Sequence, residues 1–394
     1  MVMVVESASV TPVFWKLIES ASTRVPPALV PAQPAGEARL RICPSRGIAV
    51  SRLCRHDRGM NTTFRFLLLG LMAVAATATG LRGQDAAPLA VPAAKRDASG
   101  AVTLTCATPG AVIRYSIDGS DPGPKGGPYL APIVLPAGGT VKARAYTEDR
   151  KVKSDLFEAK FDAIAGAKPL PAPLVPCTQD RDFPIYDWAK RHAAVTKLTA
   201  EKQASLVFIG DSITQMFGGE PHDRGQPGKD VWEKFYAKRN AANLGFGYDY
   251  LENTLWRLRH GELDGAKAKV VVMHIGTNNA GKNTPEEIAG GVRALLDEIH
   301  QRQPQAHVLL MAIFPRGAKP DAMRAKLDTT NKLLAQFAAP GKVTFLDIGA
   351  KFLQPDGTIA REIMGDYLHP SAKGYEIWAE AIEPLLVKLL GEAK

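Results

Sequence analysis

Five short apolar runs fill the second half of the chain, each separated from the next by a longer polar or helical stretch. They are SLVFIG (205–210), AANLG (241–245), KVVVMHIG (269–276), HVLLMAIF (307–314) and VTFLDIG (343–349). Runs of this length predict strands, and strands alternating with helices make a parallel sheet covered on both faces. The clearest intervening helix spans 285–302, with Ile288, Val292, Leu295, Leu296 and Ile299 along one side. Thr284 caps it, Pro285 occupies the first turn, and Glu287 completes a capping box. A last helix over 371–390 carries Trp378, Ile382, Leu385, Leu386 and Leu389 in one stripe. The expected fold is therefore α/β, a three-layer α/β/α sandwich around a five-stranded parallel sheet.

In such sheets the reactive side chains collect at the carboxyl ends of the strands. The first strand ends in Gly210-Asp211-Ser212-Ile213. Glycine permits a sharp turn, and the serine hydroxyl falls at the strand-to-helix junction, where a nucleophile can be exposed. A serine after Gly-Asp is equally a common helix N-cap. The third strand ends in Gly276-Thr277-Asn278-Asn279, where an amide can donate to a developing oxyanion or merely shape an Asx-turn. Near the C-terminus, Asp366 and His369 stand three residues apart, so the carboxylate can orient the imidazole of a general base. His274, on the third strand, is the rival base; an apolar-strand histidine without an acidic neighbour reads more readily as a core residue.

Residues 86–162 have a different pattern. Val102, Leu104 and Cys106 alternate with threonines; Ile113, Tyr115 and Ile117, then Val141, Ala143 and Ala145, then Phe157, Ala159 and Phe161 continue the period of two. Turn residues between them predict antiparallel strands of a small sandwich. TPGAVIRYSIDGSDP and PYLAPIVLPAGGTVKARAY resemble the immunoglobulin-like C-terminal domain of chitobiase/β-hexosaminidase-type enzymes. The resemblance implies an accessory module. A spacer is the reading favoured over a sugar site, since exposed aromatics for sugar stacking are few, only Tyr115, Tyr129 and Tyr146, with Tyr115 reading as buried. The stretch 163–180 that follows opens Pro-rich and is expected to be a semi-rigid linker to a hydrolase domain over 181–394.

Taken together, the motifs of the second half resemble the SGNH/GDSL hydrolase family. NLGFGYDYLENTLWRLRHGELDG (243–265), KVVVMHIGTNN (269–279), RQPQAHVLLMAIFPRG (302–317) and GDYLHPSAKGY (365–375) look like the brain-type platelet-activating-factor acetylhydrolase catalytic subunits and their bacterial relatives. The resemblance implies a flavodoxin-like SGNH fold, with Ser212 as nucleophile, His369 as base and then acid, and Asp366 as its orienter. It implies an oxyanion hole made by the Ser212 amide, the Asn278 side chain and a third amide. The family has a Gly before an Asp at that third place; here Tyr248 precedes Asp249 and Gly247 lies one residue earlier. A positive φ is costly for tyrosine, so Tyr248 either donates its N–H or walls the pocket, or both. Ile213, Gly247 and Leu368 are the expected pocket residues.

The expected reaction is hydrolysis of a small ester, acetyl by the resemblance, with Ile213 and Leu368 narrowing the acyl side. It proceeds through an acyl-enzyme and requires no metal or organic cofactor. Export and the β module suggest a carbohydrate alcohol. The alternatives are a lipid acetyl ester or lysophospholipid, or a carbohydrate-binding protein on a vestigial hydrolase fold. Faster cleavage of p-nitrophenyl esters of eight carbons than of acetate separates the first; inertness to a fluorophosphonate separates the second. The oligomeric state is left open, a homodimer included.

Residues 66–80, FLLLGLMAVAATATG, are too few to cross a bilayer core of about 30 Å as a helix. With Arg65 before them and Ala76-Thr-Ala78 near their end, they read as the core of a secretory signal peptide over 60–83. No cysteine lies between Cys54 and Cys106, so no lipid-modified cysteine is expected at the cleavage site, and the product is expected to be released to the periplasm or beyond. Residues 1–59 are read as disordered or as the product of a mis-assigned start, with translation beginning at Met60. The charge follows this division. The chain carries 49 Lys+Arg against 40 Asp+Glu, a net +9. Residues 1–83 hold ten of the former and four of the latter, a surplus of +6 that leaves +3 for the other 311. The basic balance is therefore no sign of nucleic-acid binding. Of four cysteines, Cys106 and Cys177 remain after processing; a disulfide between them is open to an exported protein, though Cys106 sits among core residues and a buried free thiol is favoured.

Overall fold

A computed structural model describes residues 88–183, 185–222 and 225–392. The leader expected over 60–83, residues 1–59, and Cys43 and Cys54 lie outside the described residues.

Seven strands build the module: β1 (Ala93–Arg96), β2 (Ala101–Thr105), β3 (Val112–Ser116), β4 (Gly127–Pro128), β5 (Ile133–Val134), β6 (Gly139–Tyr146) and β7 (Phe157–Phe161). They pair antiparallel into two sheets, β1-β2-β5 and β4-β3-β6-β7. The alternation seen in the sequence decides the faces: Val102 and Leu104 are buried while Thr103 and Thr105 are exposed. Val102, Leu104 and Ile133 from one sheet meet Ile113, Tyr115, Val141 and Ala143 from the other. Tyr146, considered above as an exposed ring, is instead 2% exposed, as buried as Tyr115 at 4%. Cys106 and Cys177 are free thiols, both half-buried against this core.

The second half contains helices α1 (Trp188–Lys202), α2 (Ser212–Gln215), α3 (Lys229–Phe235), α4 (Leu251–Arg257), α5 (Pro285–Arg302), α6 (Ala322–Ala335) and α7 (Ala372–Leu390). Its strands are β8 (Leu206–Gly210), β9 (Ala241–Gly245), β10 (Val270–His274), β11 (His307–Met311) and β12 (Val343–Leu346). All pair parallel in the order β12-β11-β10-β8-β9. Chain order reverses between β8 and β10, the place where such sheets open a crevice. β8, β9 and β10 are buried at every residue, as strands covered on both faces must be. The core beneath α3 and α7 takes Leu206, Phe208, Val270, Val272, Leu309 and Met311. The alternate residues Val207, Ile209, Val271 and Leu310 therefore point to the opposite face.

Helix α5 has the bounds its capping box predicts: Thr284 Oγ1 accepts from the Glu287 amide at 3.2 Å, and Glu287 Oε2 accepts from the Thr284 amide at 3.0 Å. Helix α7 is fixed by aromatic packing. Tyr375 stacks on Phe217 with centroids 4.7 Å apart, and Trp378 lies 4.8 Å from the same ring. Tyr375 also donates its hydroxyl to the Ile213 carbonyl at 2.7 Å, tying α7 to the turn that carries Ser212. The Pro-rich stretch is not a free spacer. Its turn at Ala172–Leu174 packs on α4 and α5, with Pro173 buried. A Cβ on Gly291 of α5 would lie 2.8 Å from the Pro173 Cβ, so glycine there allows the approach.

Candidate functional site

Strand β8 ends at Gly210, where a Cβ would collide with the Thr214 hydroxyl and the His274 carbonyl. Only glycine lets β8 run against β10 and turn at once into α2. Asp211 caps that helix, its Oδ1 accepting from the Ile213 amide at 2.9 Å. The cap is thus Asp211, and Ser212 is the first helical residue, whose own N–H has no acceptor within the helix. Its hydroxyl, left out of the capping, points elsewhere.

It points to the loop before α7. Ser212 Oγ lies 2.9 Å from His369 Nε2, and His369 Nδ1 donates to Asp366 Oδ2 at 2.6 Å. The other carboxylate oxygen accepts from the amides of His369 at 2.8 Å and Leu368 at 3.0 Å. Partial burial pushes the Asp366 carboxyl up, but the bonds from the His369 ring and amide and from Leu368 outweigh it and hold it below the usual range. Tyr367, inside this turn, has φ +61°. Its carbonyl accepts from the Gly317 amide at 2.8 Å, so the turn is clamped from the β11 side.

His274 is not placed to compete. It is fully buried between Phe314 and Trp378, and burial pushes its pKa down to about 3. Asn278 does not form an Asx-turn: its Nδ2 donates to the Asp249 carbonyl at 2.9 Å, across to the loop after β9.

That loop is unusual. Tyr248 has φ +60° and is 50% exposed, the left-handed conformation that the family glycine would adopt without strain. Both polar groups of buried Gly247 are engaged, its amide with Gln215 Oε1 at 2.7 Å and its carbonyl with Tyr186 at 2.8 Å and Gln179 at 3.0 Å. Gly247 therefore has no donor to offer a ligand. Among the described residues, no acceptor engages the Tyr248 amide. Of the other expected pocket residues, Ile213 is 1% exposed and belongs to the aromatic core with Phe217 and Trp378, because α2 turns its first apolar side chain under the sheet. Leu368 stays half-buried at the edge of that core. Ile213 is accordingly a core residue and Leu368 alone of the two keeps a partly open side.

Asp249 anchors the loop from behind and is the main feature that sequence reasoning left without a role. Its fully buried carboxylate accepts from Gln179 Nε2 at 2.9 Å, Trp188 Nε1 at 2.8 Å and Arg257 Nε at 2.7 Å. Burial lifts this carboxyl above its ordinary range, while Arg257, Gln179 and Trp188 pull against that rise. The one local signal is the eight-residue interval from Asp249, two residues before α4, to Arg257 at the end of that helix. Among the described residues, no three His, Cys, Asp or Glu side chains gather to hold a metal ion. Among them, too, no helix is long and apolar enough to cross a membrane.

Residues 208–377 match the model of the GDSL-like lipase/acylhydrolase family, and residues 92–158 match that of the chitobiase/β-hexosaminidase C-terminal domain. The chain is 36% identical over 206 residues to human platelet-activating factor acetylhydrolase IB subunit alpha1, covering 52% of this chain and 85% of that one. The rat alpha2 subunit is 34% identical over 206 residues, with 52% and 86% covered. Among solved structures, an acetylxylan esterase from Geobacillus stearothermophilus is similar at 23% identity and a TM-score of 0.37, covering 49% of this chain and 97% of that one.

Proposed function

The chain belongs to the GDSL-like lipase/acylhydrolase family and is a carboxylic ester hydrolase, and from that premise we propose that it is an exported serine esterase removing acetyl groups from carbohydrate. The observation that carries the proposal is the unbroken relay Ser212–His369–Asp366, with hydrogen bonds of 2.9 and 2.6 Å. Ser212 Oγ attacks the ester carbonyl as His369 Nε2 takes its proton, while Asp366 holds the ring and stabilises the imidazolium. The Ser212 amide, the Asn278 side chain and the Tyr248 amide, which meets no acceptor among the described residues, stabilise the oxyanion. The alcohol leaves with the proton from His369, and water clears the acyl-enzyme by the same route.

The similarity to the acetylhydrolase subunits supports acetyl, and Tyr248, half exposed next to the Asp249 whose carbonyl Asn278 engages, suits a wide alcohol part. The chitobiase-type module and the leader read over 60–83 support a carbohydrate alcohol and export. A lipid acetyl ester is the second reading, favoured by the same relatives. Acetate release from acetylated xylo-oligosaccharides, against release from an acetylated ether phospholipid, tests the alcohol part. A p-nitrophenyl series tests the acyl part: slower cleavage at two carbons than at eight overturns acetyl.

A further inference from the structure

Residues 178–181 join the module to the hydrolase, and they are held from both sides. On the module side, the Thr178 amide donates to Tyr115 Oη at 3.1 Å and its hydroxyl to the Pro128 carbonyl at 2.7 Å. Asp180, 2% exposed, receives Arg114 Nη1 at 2.9 Å and Arg150 Nη2 at 2.8 Å, both from the module. A buried carboxylate between two guanidinium groups has no solvated position to retreat to, so it fixes the backbone on either side. This junction also explains why β3 is buried on both faces: Arg114, on its outer side, is covered by Asp180.

On the hydrolase side, Gln179 directs its amide nitrogen to the Gly247 carbonyl at 3.0 Å and to Asp249 Oδ1 at 2.9 Å. Its Oε1 accepts from the Arg181 amide at 2.6 Å, and Arg181 Nη2 donates to the Tyr248 carbonyl at 2.9 Å. Each of residues 247, 248 and 249 is therefore held by residue 179 or 181. The last link is the Asp249 carbonyl, which receives Asn278 Nδ2 at 2.9 Å. A tyrosine at positive φ in the middle of this loop needs its conformation imposed from outside, and these bonds impose it.

We infer that the β module is a brace for the catalytic loop: Gln179 and Arg181 are positioning residues for residues 247–249 and Asn278, and Arg114 and Arg150 hold them in place through Asp180. The inference rests on the proposed oxyanion roles of Tyr248 and Asn278. The module then acts on turnover and not on capture of substrate, which distinguishes it from a tether or a sugar-binding appendage.

The test is a double-mutant cycle in the full chain with p-nitrophenyl acetate, at a temperature where melting curves show every variant folded. Gln179→Met keeps volume and removes both donors; kcat falls roughly tenfold with KM nearly unchanged, the scale of a small misplacement of catalytic groups. In an Asn278→Ala background the same change costs little more, because the two act through one loop. Arg114→Met gives the same pattern with a smaller loss. A folded Gln179→Met with wild-type kcat, losses that multiply with Asn278→Ala, or an Arg114→Met that lowers the melting temperature alone, overturns the brace. Should Gln179→Met fail to fold, Arg181→Met takes its place in the cycle, leaving the Asp249 carboxylate contacts intact. An Asn278→Ala variant with undiminished kcat would refute the oxyanion reading itself, a result distinct from failure of the brace.

Discussion

Replacing Asp211 by asparagine should make the protein more stable as pH rises, relative to wild type. Asp211 is fully buried beside Ser212, one carboxylate oxygen capping α2 and the other, Oδ2, without a partner among the described residues. Burial pushes its pKa from 3.8 up to about 7; the Asp249 carboxylate adds to the rise, while the Ile213 amide and Arg316 oppose it. A raised carboxyl pKa means that folding favours the protonated form. There is no cost below pH 3.8, a growing one up to about pH 7, and a constant one above. At 1.36 kcal/mol per unit, the cost is about 2 kcal/mol at pH 5 and about 4 kcal/mol at pH 8. Asparagine keeps a carbonyl for the cap and is neutral throughout. Its stability relative to wild type should thus rise by about 2 kcal/mol or more between pH 5 and pH 8. Fixed costs, such as an amide hydrogen without an acceptor, cancel in that difference. Urea unfolding of both proteins at the two pH values gives it directly. A change below about 0.5 kcal/mol, or of opposite sign, would show that Asp211 stays ionised in the folded protein.

Three further substitutions probe the site's frame. Gly210→Ala should destabilise by about 3 kcal/mol or more, since the added methyl meets the His274 carbonyl, which cannot move without parting β8 from β10; thermal melts check this. His274→Leu should leave kcat within about threefold of wild type, because the relay does not pass through it; a hundredfold loss would make it a participant. Tyr248→Gly should also keep kcat on p-nitrophenyl acetate within about threefold, since the proposed donor is a backbone N–H and glycine relieves the positive φ. Its KM for bulky acetyl esters should rise, and a collapse of kcat would show that the ring itself is needed.

The parts of this molecule legible in its sequence are those set by local pattern. The bounds of α5 follow from Thr284, Pro285 and Glu287, and the sheet follows from runs apolar on both faces. That Ser212, Asn278, Asp366 and His369 stand at strand ends and loops follows from the rule for parallel sheets. β4 and β5, two residues each, are too short to show a period, and β1, Ala-Ala-Lys-Arg, has no apolar alternation. Docking of Pro173 depends on the space above Gly291, more than a hundred residues away. The hold of Gln179 and Arg181 on residues 247–249 likewise leaves no local trace, because each bond joins residues about seventy positions apart. Ile213 misled for a related reason: adjacency to the nucleophile says nothing about the side chain's direction, and α2 turns it into the core.

The proposed mechanism stands on Ser212 carrying the acyl group. Rapid acid quench of the enzyme with p-nitrophenyl acetate, followed by peptide mass spectrometry, reads this directly. An acetyl adduct is expected on the peptide containing Ser212, formed in a burst with p-nitrophenol and absent from Ser212→Ala. An adduct on another residue, or undiminished turnover by Ser212→Ala, would contradict it.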